Sequence, residues 1–505
     1  MNENLFTRFA APQRNKTFLK VPDGGAISYA ASFAAAARFA QVLARAGVKK
    51  GDRVAVQVEK SPEALFLYLA CLRAGAVYLP LNPAYTPAEL SYFIADAEPA
   101  LFVAAPQNEV LIKTIFAGSV LTLADDGSGG SLIALAANEA PDFEDVAVQK
   151  HDLAAILYTS GTTGRSKGAM LSHGNLWSNA SVLKELWRFG ENDVLLHALP
   201  VFHIHGLFVA TNVALAAGAA MIFLPKFDPD AVLAAMPDAT VMMGVPTYYV
   251  RLLKDARLSR DVTAGMRLFI SGSAPLLSET HREWRERTGH AILERYGMTE
   301  TGMNTSNPYD AERLPGSVGF ALPGTELRIA DQDGAPLPQG EIGMIEVRGP
   351  NVFQGYWRMP DKTRAEFRPD GFFITGDLGL IDSNGYVHIS GRGKDLIISG
   401  GLNVYPKEVE SLIDAMDGVA ESAVVGLPHA DFGEAVTAFV VSKDGARLDE
   451  KQVLEKLAGH LARFKQPKRV LLVDQFPRNS MGKVQKNLLR DRYSDLYAAA
   501  KTDAG

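Results

Sequence analysis

The sequence predicts an α/β protein in two parts: a large N-terminal domain of layered α/β subdomains carrying a β-rich subdomain, and a small α+β C-terminal domain. Three observations predict it. Helical and strand-like patterns alternate over roughly the first 300 residues, as in layered folds with a largely parallel sheet. Short strand patterns punctuated by Gly and Pro follow, as expected of an antiparallel subdomain. The segment GRGKD, Gly391 to Asp395, then interrupts the pattern with about 110 residues still to come, enough for one small domain.

The elements justify this in order. A helical run from Phe33 to Ala46 ends at Gly47 and leads through a KKGD turn to strand-like RVAVQV. Ser61 is placed to cap the next helix, with Pro62 at its first position, and Gly75 ends that helix before AVYLPL. Thr86 and Glu89 form a capping box ahead of the helix that precedes LFVAA. Alternation resumes after Asp152, and GTELRIADQDGAPLPQGEIGMIEVRGP opens the β-rich part. Cys71, the single cysteine, lies at helical spacing in SPEALFLYLACLRAG and reads as a small buried hydrophobe that forms no internal disulfide.

Composition narrows the function. At 505 residues the chain exceeds the usual reach of one core. A hydrophobic share of 47% and a charged share of 21% are those of an ordinary globular protein. A net charge of −6 provides no basic field to gather a nucleic-acid backbone, so no nucleic-acid partner is expected. The N-terminus has no apolar signal core, and no stretch approaches the roughly 18 apolar residues of a spanning helix, so no membrane partner is expected. A cytoplasmic location fits a lone cysteine.

The strongest local signal is YTSGTTGRSKG, which follows the apolar run LAAIL. Its glycines let backbone approach phosphate, its hydroxyls and amides donate to phosphate oxygens, and Lys167 adds positive charge. The spacing is not that of a Walker A loop. With PVFHIHG, VPTYY, SGSAPL, ERYGMTE, TGD, GRGKDLIISGG and PRNSMGK following in order, the chain resembles the adenylate-forming superfamily of acyl-CoA synthetases, luciferases and nonribosomal adenylation domains.

That resemblance implies an enzyme that joins a carboxylate to AMP from ATP and then passes the acyl group to a thiol. It implies a nucleotide site of Thr159, Ser160, Gly161, Thr162, Thr163, Gly164 and Lys167 on the phosphates. Gly272, Ser273, Ala274, Glu294, Arg295, Tyr296, Gly297 and Met298 are implied around the adenine, Thr299 on phosphate, and Asp377 with Arg392 on the ribose. Glu300 is the implied magnesium ligand; one carboxylate suffices, because magnesium takes few protein ligands beside phosphate and water. Lys483 is implied as the catalytic lysine and Lys394 as the hinge between a domain of residues 1–393 and a mobile one of residues 395–505. Gly400 and Gly401 would face the acyl carbonyl as the thiol of coenzyme A approaches. Taken singly, Glu300, Asp377, Arg392 and Lys483 read equally well as surface charges, and the two glycines as a simple turn.

The chain ends about twenty residues past Lys483, short of a carrier domain, so coenzyme A is the expected acceptor. His203 and His205 stand where amino-acid-activating relatives place an aspartate. The run RYGMTETGMNTSNPY, with His203 and Arg165, resembles the malonyl-CoA synthetase branch, which implies malonate as substrate, with methylmalonate tolerated. Arg251 reads either as the partner of a second carboxylate or as a helix-surface arginine. Ser273, Met303, Arg165 and catalytic His203 complete the implied acyl site, although Arg165 could equally hold triphosphate. The alternatives are a ligase for a short-chain or aromatic monocarboxylic acid, and a non-catalytic acyl-adenylate-binding regulator. Lys483 is also the expected target of a lysine acetyltransferase, since acetylation would remove its charge.

Overall fold

The computed structural model describes residues 2–9, 15–22, 25–159, 166–400, 402–429, 431–446, 448–479 and 482–497. The first sheet runs in the order Ser119–Thr122, Leu101–Ala104, Arg53–Gln57, Val77–Pro80, Leu153–Thr159, Lys167–Ser172, parallel except for its last hairpin. Its helices start where the caps predict. The Ser61 hydroxyl accepts from Ala64 N at 3.1 Å ahead of Pro62–Arg73, and Thr86 and Glu89 cap Pro87–Ala97 reciprocally. The helix Tyr29–Arg45 begins four residues before the apolar run because Ser28 caps it, accepting from Ala31 N at 3.1 Å. Cys71 is buried inside its helix.

A nine-stranded sheet forms the second layer, and Val194–His197, Val241–Gly244, Leu268–Ser271 and Leu293–Met298 lie parallel in it. The strands Val241–Gly244 and Leu268–Ser271 are buried throughout, which explains their unbroken apolar character. The carboxyl ends of the last three share one edge, the usual ligand edge of an open α/β sheet. The β-rich segment forms an antiparallel sheet of Glu326–Ala330, Gly343–Arg348, Phe373–Ile381 and Val387–Arg392.

After the 3₁₀ turn Gly393–Asp395 comes a small α+β domain around the hairpin of Val419–His429 and Gly433–Ser442. Strand alternation gives this sheet two apolar faces. Val424 packs with Val409 and Ile413 of Pro406–Asp414 on one side, while Ala423, Val425 and Leu427 pack with Leu489 of Lys486–Arg492 on the other. Lys443 of this domain reaches Glu279 of the large one at 2.7 Å. Among the described residues, no helix is long and apolar enough to cross a membrane.

Candidate active site

Asp377 and Arg392 are cross-strand partners in the antiparallel sheet, and Arg392 Nε lies 2.7 Å from Asp377 Oδ1. The Tyr296 hydroxyl donates to Asp377 Oδ2 at 2.6 Å. One carboxylate thus joins an aromatic ring on the nine-stranded sheet to a guanidinium at the end of the antiparallel sheet, just before the small domain. Lys483 comes to the same place, with Gly482 against Thr247 of the helix Pro246–Leu253. Burial pulls the pKa of its ammonium down to about 8, Arg392 adds to the fall, and Asp377 and Asp395 oppose it.

The side expected to meet phosphate begins where Leu153–Thr159 ends. Ser160, Gly161, Thr162, Thr163, Gly164 and Arg165 lie outside the described residues. Beyond them, Lys167 Nζ lies 3.1 Å from Glu366 Oε1 and 4.1 Å from the centre of the Tyr356 ring. Thr299 and Glu300 occupy the turn between the antiparallel strands Leu293–Met298 and Gly302–Ser306. Glu300 is buried, and its pKa is raised by that burial against the opposing pull of Tyr356 and Lys167. Among the described residues no three His, Cys, Asp or Glu side chains cluster to hold a metal by themselves. The buried Glu300 carboxylate, within the field of Lys167, fits an ion such as magnesium that would be held mainly by the oxygens of a bound nucleotide.

A third group of residues lines the opposite face of the strand that carries Tyr296. Arg295 is 4% exposed, and its Nε and one Nη have no hydrogen-bond partner. Burial lowers its pKa to about 9, with only the nearby Tyr249 opposing. Gly272 makes room for it, since an added Cβ would lie 2.5 Å from Arg295 Nη1. Ser273 follows with φ of 71°, in the left-handed region that few non-glycine residues occupy, and its hydroxyl lies 3.2 Å from His205 Nδ1. His205 Nε2 and the Ser271 hydroxyl are buried and unpartnered as well. His203 Nδ1 accepts from His205 N at 3.2 Å, so the neutral ring carries its proton on Nε2. Burial and the charge of Arg295 lower the His203 pKa to about 4.

These histidines stand at the entrance to His205–Thr211, a π-helical turn, a form that gathers at functional sites. Beneath it, Lys60 Nζ meets His197 Nδ1 at 2.9 Å, and His197 Nε2 meets Gly206 O at 2.9 Å. Met303 packs against Gly297 from the next strand, where an added Cβ on Gly297 would lie 2.5 Å from Met303 Cε. Ala274 continues the turn after Ser273, and Met298 ends the strand.

The other expected residues have the following surroundings. Arg251 is exposed in the last turn of Pro246–Leu253, one turn beyond Thr247. Glu294 is buried, accepts from Gly316 N at 3.1 Å, and has a pKa pushed up to about 8 by burial. The polar run after Met303 is turned inward. Thr305 donates to Val318 O, Ser306 accepts from Trp187, and Asn307 donates to Glu294 O and Ser317 O. These groups satisfy backbone from other segments and the Trp187 indole, so the polarity of TSN is taken up by hydrogen bonds within the fold. Lys394 is exposed, and Gly400 is exposed with φ of 59° in the turn of the hairpin Ile397–Ser399 and Leu402–Val404. Gly401 lies outside the described residues. Sequence motifs gave no sign of Tyr356 or Glu366, which reach the phosphate side from a β-rich stretch with no signature of its own.

The fold and these groups define a two-domain enzyme that binds an adenine nucleotide. The AMP-binding enzyme family matches residues 6–357 and the AMP-binding enzyme C-terminal domain matches residues 408–483. The chain belongs to the AMP-binding enzyme family. It is 62% identical to MatB from Rhodopseudomonas palustris, covering 98% of this chain and 100% of that one, with a TM-score of 0.97 to the ATP-bound crystal structure and 0.86 to the apo structure. It is 36% identical to a malonate–CoA ligase of Arabidopsis thaliana over 88% of this chain and 78% of that protein. A feruloyl-CoA synthase of Amycolatopsis is 38% identical over 93% of this chain and 94% of that protein.

Proposed function

We propose that this chain is a malonate:CoA ligase that forms malonyl-adenylate and pyrophosphate from malonate and ATP, and then malonyl-CoA and AMP. Arg295 carries the reading. A buried guanidinium with two unpartnered nitrogens and no carboxylate among the groups that shift its pKa is costly unless an anion arrives to meet it. The distal carboxylate of a dicarboxylic acid is such an anion, and Arg295 can grip it in bidentate fashion. His203 Nε2–H and the Ser273 hydroxyl supply further donors, and Met303 limits the space for substituents, leaving methylmalonate as the larger substrate tolerated. Arg251 lies on the same helix face as Thr247 and would serve as a second cation at the entrance. The likeness to malonate–CoA ligases supports the same substrate.

The proximal carboxylate then attacks the α-phosphorus and pyrophosphate departs. The ammonium of Lys483 offsets the charge that builds at that phosphorus, an effect worth on the order of 3 kcal/mol in comparable sites. Glu300 would hold magnesium, which when bound draws charge from the triphosphate. Tyr296 flanks the adenine, and Asp377 with Arg392 holds the ribose. For the second step, residues 395–505 rotate about Lys394, withdraw Lys483 and bring Gly400 and Gly401 toward the carbonyl. The thiol of coenzyme A gives up its proton, its sulfur bonds to the carbonyl carbon, and AMP leaves. Acetylation of Lys483 by a lysine acetyltransferase would silence the first step only. A cytoplasmic location completes the proposal.

Initial rates with ATP, coenzyme A and malonate, methylmalonate, succinate, acetate, butyrate or an aromatic acid test it. Malonate should be fastest, and Arg295→Met should cut kcat/KM for malonate by about 100-fold with the ATP KM within about twofold. Arg251→Ala should raise the malonate KM by a smaller factor. Equal turnover of acetate, or a matching rise in the ATP KM of the Arg295 variant, would overturn the assignment.

A further inference from the structure

The contacts on the phosphate side extend past the residues that would touch nucleotide or metal. Tyr356 is 3% exposed, and its hydroxyl lies 2.7 Å from Glu366 Oε2 and 3.1 Å from Glu300 Oε1. Glu366 Oε1 receives Lys167 at 3.1 Å and Lys362 at 2.8 Å. The Lys167 ammonium also sits over the Tyr356 ring, a cation–π contact. The segment carrying Tyr356 is fastened on both sides. Tyr356 N donates to Thr363 Oγ1 at 2.9 Å, and Trp357 N donates to Gly168 O at 2.8 Å on the strand that leaves the glycine loop.

We infer that Tyr356 and Glu366 are positioning residues that hold the carboxylate of Glu300 and the ammonium of Lys167 in one preformed group before MgATP arrives. Hydrogen-bonded partners fix the orientation of a metal-ligating carboxylate and so set how well it holds its ion. The Tyr356 ring and hydroxyl reach both working groups at once. Glu366 supplies the anion that keeps Lys167 from swinging into solvent until phosphate takes its place. This rests on the proposed adenylation of malonate, and wild-type pyrophosphate release with malonate tests that reading separately.

The test uses Tyr356→Phe, which removes only the hydroxyl, and Glu366→Gln, each in the full chain. Titration of Mn²⁺ into the enzyme–ATP complex, followed by electron paramagnetic resonance, should show binding about tenfold weaker or more in both variants. The Mg²⁺ concentration that half-saturates pyrophosphate release should rise by the same factor. The malonate KM should stay within about twofold, and thioester formation from supplied malonyl-adenylate should be unchanged, neither of which a general loosening of the fold would allow. Unaltered Mn²⁺ affinity in Tyr356→Phe, or a malonate KM that rises with the metal requirement, would overturn the inference.

Discussion

Lys483 gives up part of its hydration on entering the site, and its pKa falls to about 8. Only the charged ammonium can offset charge at the α-phosphorus, so the sign is fixed: the active form dominates below pH 8 and is lost as pH rises through it. Pyrophosphate release at low substrate concentration should therefore fall above pH 8, approaching tenfold per pH unit. Glu294, whose pKa burial raises to about 8, ionises over the same range on the other face of the strand from Arg295 and is the rival cause. Lys483→Arg separates the two, because a guanidinium stays charged throughout. Loss of the falling limb in that variant assigns it to the lysine; its persistence assigns it elsewhere. Thioester formation from supplied malonyl-adenylate should lack the limb altogether.

A strand sends successive side chains to opposite faces, and this divides the labour of Leu293–Met298. Tyr296 faces Asp377, while its neighbour Arg295 faces Gly272 and the histidines. Gly272 is required by packing, since its backbone passes against a guanidinium that is itself enclosed. Gly272→Ala should lower stability by about 1–3 kcal/mol and displace Arg295. Thermal melting checks the first, and a fall of about tenfold or more in malonate kcat/KM at constant ATP KM checks the second. A variant that melts lower yet keeps its malonate kinetics would detach Gly272 from the acyl site. The same alternation marks how far the sequence could be read. Helix caps at Ser61 and Thr86, the buried Cys71 and the turn-punctuated β-rich segment depend on neighbours within a few residues, and they were legible. The ERYGMTE motif announced a site but concealed that adjacent letters serve opposite sides of a strand. Tyr356 and Glu366 meet Lys167 across nearly two hundred residues of chain, a contact that only the fold creates.

The two domains meet where Lys483 of the small one comes to Asp377 of the large one, which also holds Tyr296. The small domain carries its lysine as part of a braced unit. Lys486 reaches Glu410 and Arg490 reaches Asp395, each at 2.5 Å, so the helix after Lys483 is tied to the residue after the proposed hinge. Rotation about Lys394 would then move lysine and hinge arm together. The described pose matches ATP-bound MatB at a TM-score of 0.97 and apo MatB at 0.86. In this pose Lys394 lies within a 3₁₀ turn, whose φ near −60° proline also adopts. Lys394→Pro should therefore preserve the described arrangement while obstructing the change of φ that rotation demands. Adenylation should proceed at close to the normal rate, and thioester formation from supplied malonyl-adenylate should fall by about 100-fold or more. Rapid-quench measurement of the two half-reactions decides it. Equal loss of both would mean that proline damages the site, and no loss of either would place the axis of rotation at another residue.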